Sequence, residues 1–172
     1  MATAVLDPQA LSLTPGQIIA KHQTHAPVDV VAIAADLGIN VWETKSFPSD
    51  ISGKIFRDPV NGGRPTGFSI LVNANHSLPR KRFTIAHEIA HFILHKNRLE
   101  SGELIDDAMY RSGVTDREET GANRFAADIL MPYSLIRSLI KAGIRTPEQL
   151  ASALQVSLPA MKIRLGLPLQ EA

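Results

Sequence analysis

The chain has 172 residues, 18 basic and 17 acidic side chains, a net charge of +1 and no cysteine. This length suits one hydrophobic core, the near-neutral charge gives no field for binding DNA or anionic lipid, and the lack of cysteine excludes disulfides and cysteine-ligated zinc. No apolar run reaches about 18 residues, and the first residues lack the basic start and apolar centre of a signal peptide. We therefore expect a cytoplasmic protein that neither spans nor binds a membrane.

The residues ahead of position 77 predict two helices and then strands. Thr14-Pro15 with Gln17 is typical of a helix start, and Gly38 is typical of a helix stop. Helices, a small mixed or antiparallel three-stranded sheet and further helices make an α+β pattern. The predicted elements are helices at 14–22 and 27–37 and strands at 39–43, 53–57 and 67–73.

The segment His87-Glu88-Ile89-Ala90-His91 is an HExxH motif. On an α-helix, residues four apart are separated by about 6 Å of rise and about 40° of rotation, so both imidazoles can reach one ion. Glu88 lies about 100° round from His87, beside the ion, where it can act as a general base. The motif therefore predicts two zinc ligands and a catalytic carboxylate.

The helix that carries this motif is predicted to be buried. Ser77 and Pro79 mark its start, and residues 83–94 are apolar on nearly every side. Polar side chains inside such a helix cost free energy unless something satisfies them, and a metal ion would. The alternative is a pair of core histidines bonded to backbone, with Glu88 at the surface.

His95 follows at a further four residues, but it lies about 12 Å along the axis from His87, too far to share a zinc ion. We interpret it as a histidine favoured by the C-terminal end of the helix dipole. The longer metzincin motif is excluded because Asn97 stands where its third histidine would be.

A third ligand is sought in a second predicted helix, residues 115–131, which ends at Pro132. Thr115 and Glu118 fit a capping box, which gives Glu118 a structural role. Glu119 lies on the flank of the apolar stripe with Asn123 four residues later, able to hydrogen-bond a ligand or substrate. This favours Glu119 as the ligand and leaves Glu118 as the alternative; for both, an acidic first turn favoured by the helix dipole needs no metal.

The segments RFTIAHEIAHFILH and ANRFAADILMP, with VDVVAIAADLGINV, SGKIFRD and FSILVNAN upstream, are similar to the ImmA/IrrE family of metallopeptidases (DUF955). The resemblance implies a gluzincin-like zinc site formed by His87, His91 and Glu119, with Glu88 as catalytic base. Family members often have a glutamate where this chain has Gly121. The resemblance implies a peptidase domain at residues 27–133. Ahead of it, the residues themselves predict an arm and a short helix at 1–26.

The strand at 67–73 is predicted to be an edge strand that pairs with the substrate backbone, with Asn73 and Asn75 holding peptide groups. Strand-end asparagines need no such function. Tyr110 and Tyr133 are candidate oxyanion donors, although no spacing argument supports either.

Residues 134–172 are predicted to be helical, with helix starts at Thr146-Pro147 and Ser157 that resemble a helix-turn-helix. Lys162 and Arg164 are the only cations of the second helix, so we expect packing against the catalytic core or a partner rather than DNA binding.

The sequence thus predicts a zinc endopeptidase, and the family resemblance implies a helix-turn-helix transcriptional repressor as its protein substrate, with a role in transcription regulation and stress response. The alternative is a non-catalytic regulator or toxin-antitoxin-type protein that binds such a partner and uses the metal only structurally.

Overall fold

The computed structural model describes residues 13–101 and 115–169, and within them the chain forms eight helices and one three-stranded sheet. No helix of these two stretches is both long and apolar enough to cross a membrane. In chain order the elements are α1 (Pro15–His22), α2 (Val30–Asp36), β1 (Ile39–Thr44), β2 (Gly53–Arg57), β3 (Phe68–Asn73), α3 (Leu78–Leu94), α4 (Lys96–Ser101), α5 (Asp116–Leu130), α6 (Tyr133–Lys141), α7 (Pro147–Leu154) and α8 (Leu158–Arg164).

Side-chain caps set most of the helix starts. Thr14, Thr115 and Thr146 each accept a hydrogen bond from a backbone amide three residues on, while the Gln or Glu at that position reaches back, forming three capping boxes. The prediction that a helix begins at residue 27 was early by three residues. The carboxylate of Asp29 accepts from the amides of Val31 and Ala32, so α2 begins at Val30.

The sheet is mixed, with strand order β1-β3-β2. β1 runs parallel to β3, and β2 runs antiparallel to it. The α+β prediction with a small mixed sheet is therefore confirmed. The expectation that the strand at 67–73 is an edge strand is wrong, because β3 pairs on both sides; its burial on both faces reflects this central position.

Helix α3 is the central element of the core. It packs across β2 and β3 on one side and against α5 on the other. Ile85 and Ile89 of α3 are 5% and 0% exposed, and Phe68 of β3 meets Phe92 edge to face with ring centroids 5.5 Å apart. The helix predicted to be buried is thus held on two sides, so its polar residues take fixed positions.

Candidate metal centre

The two histidines of the HExxH segment lie on the face of α3 that meets α5. His87 is 6% exposed and His91 is 5% exposed, and their Nε2 atoms are 2.9 Å apart. As helix geometry predicts for residues four apart, both rings direct their Nε2 atoms to the same point in space, so they can bind one ion.

Glu119, in the first turn of α5, closes the third side. Its Oε2 lies 3.5 Å from His87 Nε2 and its Oε1 lies 3.3 Å from His91 Nε2. One ligand atom from each of these three residues fits within a mutual distance of 4.8 Å. Ligands at about 2.1 Å around a tetrahedral zinc stand about 3.4 Å from one another, so the spacing suits such an ion. These residues form a possible metal-binding triad.

Small side chains allow α5 to approach α3 this closely. Ala122 and Ala126 are both 0% exposed on the face of α5 that packs against the core. A larger side chain at either position would push the helices apart, because native interiors leave little spare volume. The position of Glu119 relative to the histidines therefore depends on these two alanines.

Glu118 lies beside the triad, but its carboxylate makes structural hydrogen bonds. One carboxylate oxygen accepts from the Thr115 backbone amide at 2.8 Å, completing the predicted capping box, and the other accepts from the Arg98 guanidinium. The Thr115 amide, followed by Arg98, lowers the pKa of Glu118 from 4.5 to about 2. His95, the C-cap of α3, stands 3.8 Å from the same carboxylate through Nδ1.

Asn123 holds the outer nitrogen of His87. Its side-chain oxygen is 2.9 Å from His87 Nδ1, and this oxygen can only accept, so Nδ1 carries the proton and donates it. The Nε2 atom of His87 then carries the lone pair and faces His91 and Glu119, which is the arrangement that orients histidine ligands at metal sites.

Glu88 is 3% exposed and faces a cavity of about 340 Å³ that opens beside the triad. Arg80 and Ser52 also line it, and the Arg80 guanidinium donates to Ser52 Oγ at 3.0 and 3.1 Å. The motifs pointed to neither residue, because Ser52 precedes β2 and reaches α3 only through tertiary packing. The lining residues are Ser52, Arg80, Phe83, Thr84, His87, Glu88, Glu119 and Asn123.

Two of the other candidates lie away from this cavity. Asn73 is 0% exposed and its amide donates to the carbonyls of Pro48 and Ile51 at 2.9 Å each, so it fastens the β1–β2 connection to β3. The Tyr133 hydroxyl donates to the carbonyl of Arg164 at 3.1 Å. Tyr110 lies outside the described residues.

Comparison with known proteins places this geometry in a family. The model of the Peptidase M78 family, described as an IrrE N-terminal-like domain, matches residues 34–166. Among curated proteins, none matches this sequence. A solved structure titled "Mycobacterium tuberculosis transcriptional regulator" is similar with a TM-score of 0.59 and 15% sequence identity, covering 91% of this chain and 46% of that one.

That likeness shows a shared fold, and this chain spans less than half the length of the regulator. The family match is stronger, because it covers most of the chain and includes the HExxH segment, the acidic first turn of α5 and the C-terminal helices. It agrees with the resemblance that the motifs indicate. This chain belongs to the Peptidase M78 family of IrrE N-terminal-like domains.

Proposed function

We propose that this chain is a zinc-dependent endopeptidase that cleaves a cytoplasmic protein, with a helix-turn-helix transcriptional repressor as substrate. The observation that carries the proposal is the convergence of His87 Nε2, His91 Nε2 and a Glu119 oxygen beside a cavity lined by Glu88. Two imidazoles and one carboxylate are the protein ligands of a familiar class of catalytic zinc sites.

The donor set fits zinc on physical grounds. Two converging imidazole nitrogens and a carboxylate favour a cation between them, and the two histidines are buried while Glu119 is half-buried. Zinc would supply Lewis-acid chemistry, polarising a substrate carbonyl and making water more acidic. His87, His91 and Glu119 would hold it, and Asn123 would keep the Nε2 of His87 turned inward.

Glu88 would accept the proton of the attacking water and pass it to the departing amine. A buried carboxylate is suited to this because the low dielectric strengthens its interaction with a developing positive charge. Neighbouring helix positions are turned by about 100°. The side chain of Glu88 therefore lines the cavity, while His87 and His91 turn their Nε2 atoms towards Glu119. The ligand and base roles are thus divided within five residues.

The strand beside the cavity is β2, which takes the substrate-pairing role first expected of β3. Both β1 and β2 are edge strands of the described sheet, and β2 is the one whose preceding residue, Ser52, lines the cavity. The backbone of Ser52 bonds to Asn73, and the backbone of Asp58 bonds to Gly67 just before β3. The alternate residues Gly53, Ile55 and Arg57 therefore turn their backbone groups to the open edge. We propose that an extended substrate segment pairs there.

The C-terminal helices support a protein substrate over DNA. Arg164 of α8 stacks on Tyr133 with its guanidinium 4.0 Å from the ring centroid and pairs with Asp128 at 2.7 Å. Met161 is 0% exposed. This cation of α8 is therefore directed towards α5 and α6, and we propose that residues 134–172 pack on the peptidase domain at 27–133.

Metal analysis and a co-expressed repressor test the proposal. Purified protein should contain about one zinc per chain, with zinc lost in His87→Ala and kept in Glu88→Gln. The wild type, and not Glu88→Gln, should cleave a helix-turn-helix repressor encoded beside its gene, with the new termini read by mass spectrometry. Wild-type protein without zinc would refute the enzyme. Zinc with full repressor inactivation by Glu88→Gln would favour the non-catalytic, partner-binding alternative.

A further inference from the structure

A larger depression adjoins the catalytic cavity. It has a volume of about 620 Å³ and lies between α5 and α8, with Phe83 of α3 as a further wall. We call it the C-terminal groove. Three charged residues line it: Asp128 and Arg164, which form an ion pair at 2.7 Å, and Arg124, which is exposed. The apolar side chains that line it are Phe83, Ala127, Met131, Pro159, Ala160 and Ile163.

The groove shares part of its wall with the catalytic cavity. Phe83 and Asn123 line both spaces. Asn123 is bonded to His87, and the Phe83 ring centroid lies 6.1 Å from that of His87. The groove therefore begins one side chain away from a metal ligand. An extended peptide advances about 3.3 Å per residue, so the residue next to a bond held at the triad is the one that reaches it.

We propose that the C-terminal groove is the specificity subsite of this peptidase and binds a large apolar side chain, such as Leu, Ile, Met or Phe, adjacent to the scissile bond of the protein substrate. The inference rests on the proposed function. Its occupant follows from the chemistry of the walls, which are mainly apolar. Ile163 and Tyr133, two large side chains of the lining, are 65% and 53% exposed, and a substrate side chain would cover them.

This assigns the C-terminal helices a role in substrate selection. The groove needs α8 for one whole wall, through Pro159, Ala160 and Ile163. Helix α8, packed on the peptidase domain, would thus select the substrate side chain without contacting the reacting atoms. Apolar subsites distinguish side chains by about tenfold or more for each missing methylene.

Binding of peptide hydroxamates to zinc-loaded protein tests the groove without requiring turnover. Two pairs are used, one extending to each side of the hydroxamate, and the members of a pair differ only in Leu or Ala beside that group. In one pair, the Leu member should bind wild-type protein more tightly by at least about tenfold, because Leu and Ala differ by three carbon atoms. Ile163→Ser should reduce this preference to about two- or threefold, and Ile140→Ser should leave it unchanged. Ile140 is a matched control, since it is also an exposed isoleucine next to the last residue of a short helix but lies outside the groove.

The outcomes separate this inference from the proposed function. Zinc-loaded protein that binds both members of each pair equally overturns the groove alone, as does a full preference in Ile163→Ser. Protein that binds no zinc overturns the proposed function and the groove with it. Equal zinc content and circular dichroism in the two serine variants would establish that a lost preference is not a loss of fold.

Discussion

Replacing Asn123 by alanine should weaken zinc binding by about tenfold without unfolding the protein. The side-chain oxygen of Asn123 lies 2.9 Å from His87 Nδ1 and keeps the proton on that nitrogen. Without it, the proton of the neutral ring can move to Nε2, which then cannot bind a metal ion. The ring also loses the contact that fixes its orientation.

The size of the effect follows from the exposure of Asn123. Loss of one ordinary hydrogen bond costs about 1 kcal/mol, or about fivefold in affinity, whereas loss of a partner of a metal-bound histidine costs about 10–100-fold. Asn123 is itself exposed, so water can take the place of its oxygen. We therefore expect the lower end of that range, about tenfold, or about 1.4 kcal/mol.

Competition against a chromophoric chelator at pH 7 measures this affinity. Asn123→Asp should bind zinc at least as tightly as wild type, since a carboxylate accepts the same hydrogen bond. Asn97→Ala removes an exposed asparagine of α4 and serves as the matched control. Affinity of Asn123→Ala within twofold of wild type, or an equal loss in Asn97→Ala, would refute the reasoning.

Three further predictions concern the helices around the site. Glu118→Ala should keep zinc, whereas Glu119→Ala should lose it. Because the folded pKa of Glu118 is lowered from 4.5 to about 2, the stability that its carboxylate contributes is fully present above pH 4.5 and is lost as pH falls towards 2. The difference in thermal unfolding temperature between wild type and Glu118→Ala should therefore disappear over that pH range. The new Cβ of Gly121→Ala meets open space in a helix, so this substitution should raise the free energy of unfolding by up to about 1 kcal/mol. Gly53→Ala places a Cβ 2.7 Å from a backbone oxygen of β3 and should lower the free energy of unfolding by about 1–3 kcal/mol. Urea unfolding measures both changes. Ala126→Leu should cost about 1–3 kcal/mol and also weaken zinc binding, since it separates α5 from α3; unchanged zinc affinity in a destabilised Ala126→Leu protein would contradict that link.

Local sequence signals were sufficient for the capped starts of α1, α5 and α7 and for the convergence of His87 and His91. Capping boxes depend on residues three apart, and the facing of His87 and His91 depends on residues four apart, so neither needs tertiary information. The short helix α4 was not anticipated, because its six residues carry no apolar periodicity and follow directly on α3.

Strand order required information that the strand patterns lack. β3 reads as a short apolar strand, which suits either a central position or an edge covered by a helix. The mixed order β1-β3-β2 arises because β1 pairs in parallel with β3, although β2 lies between them in the sequence. Ser52 reaches the cavity only through this arrangement, so sequence spacing alone could not identify it. Arg80 lies seven residues before His87 on the same face of α3, so helix periodicity could have indicated it.

The choice between the two glutamates of α5 was accessible from the sequence because a local interaction sets the rotation of the helix. Thr115 fixes the N-cap, and the capping box then uses Glu118 at the third helical position. The next residue is turned by about 100°, which directs Glu119 towards α3 while Glu118 stays with Thr115 and Arg98. If the N-cap were one residue later, Glu119 would occupy the third helical position and would hydrogen-bond to the N-cap backbone instead of lying near the histidines. The N-cap of α5 thus determines which carboxylate is available to the triad, and Thr115 belongs to the site although it lies outside the cavity.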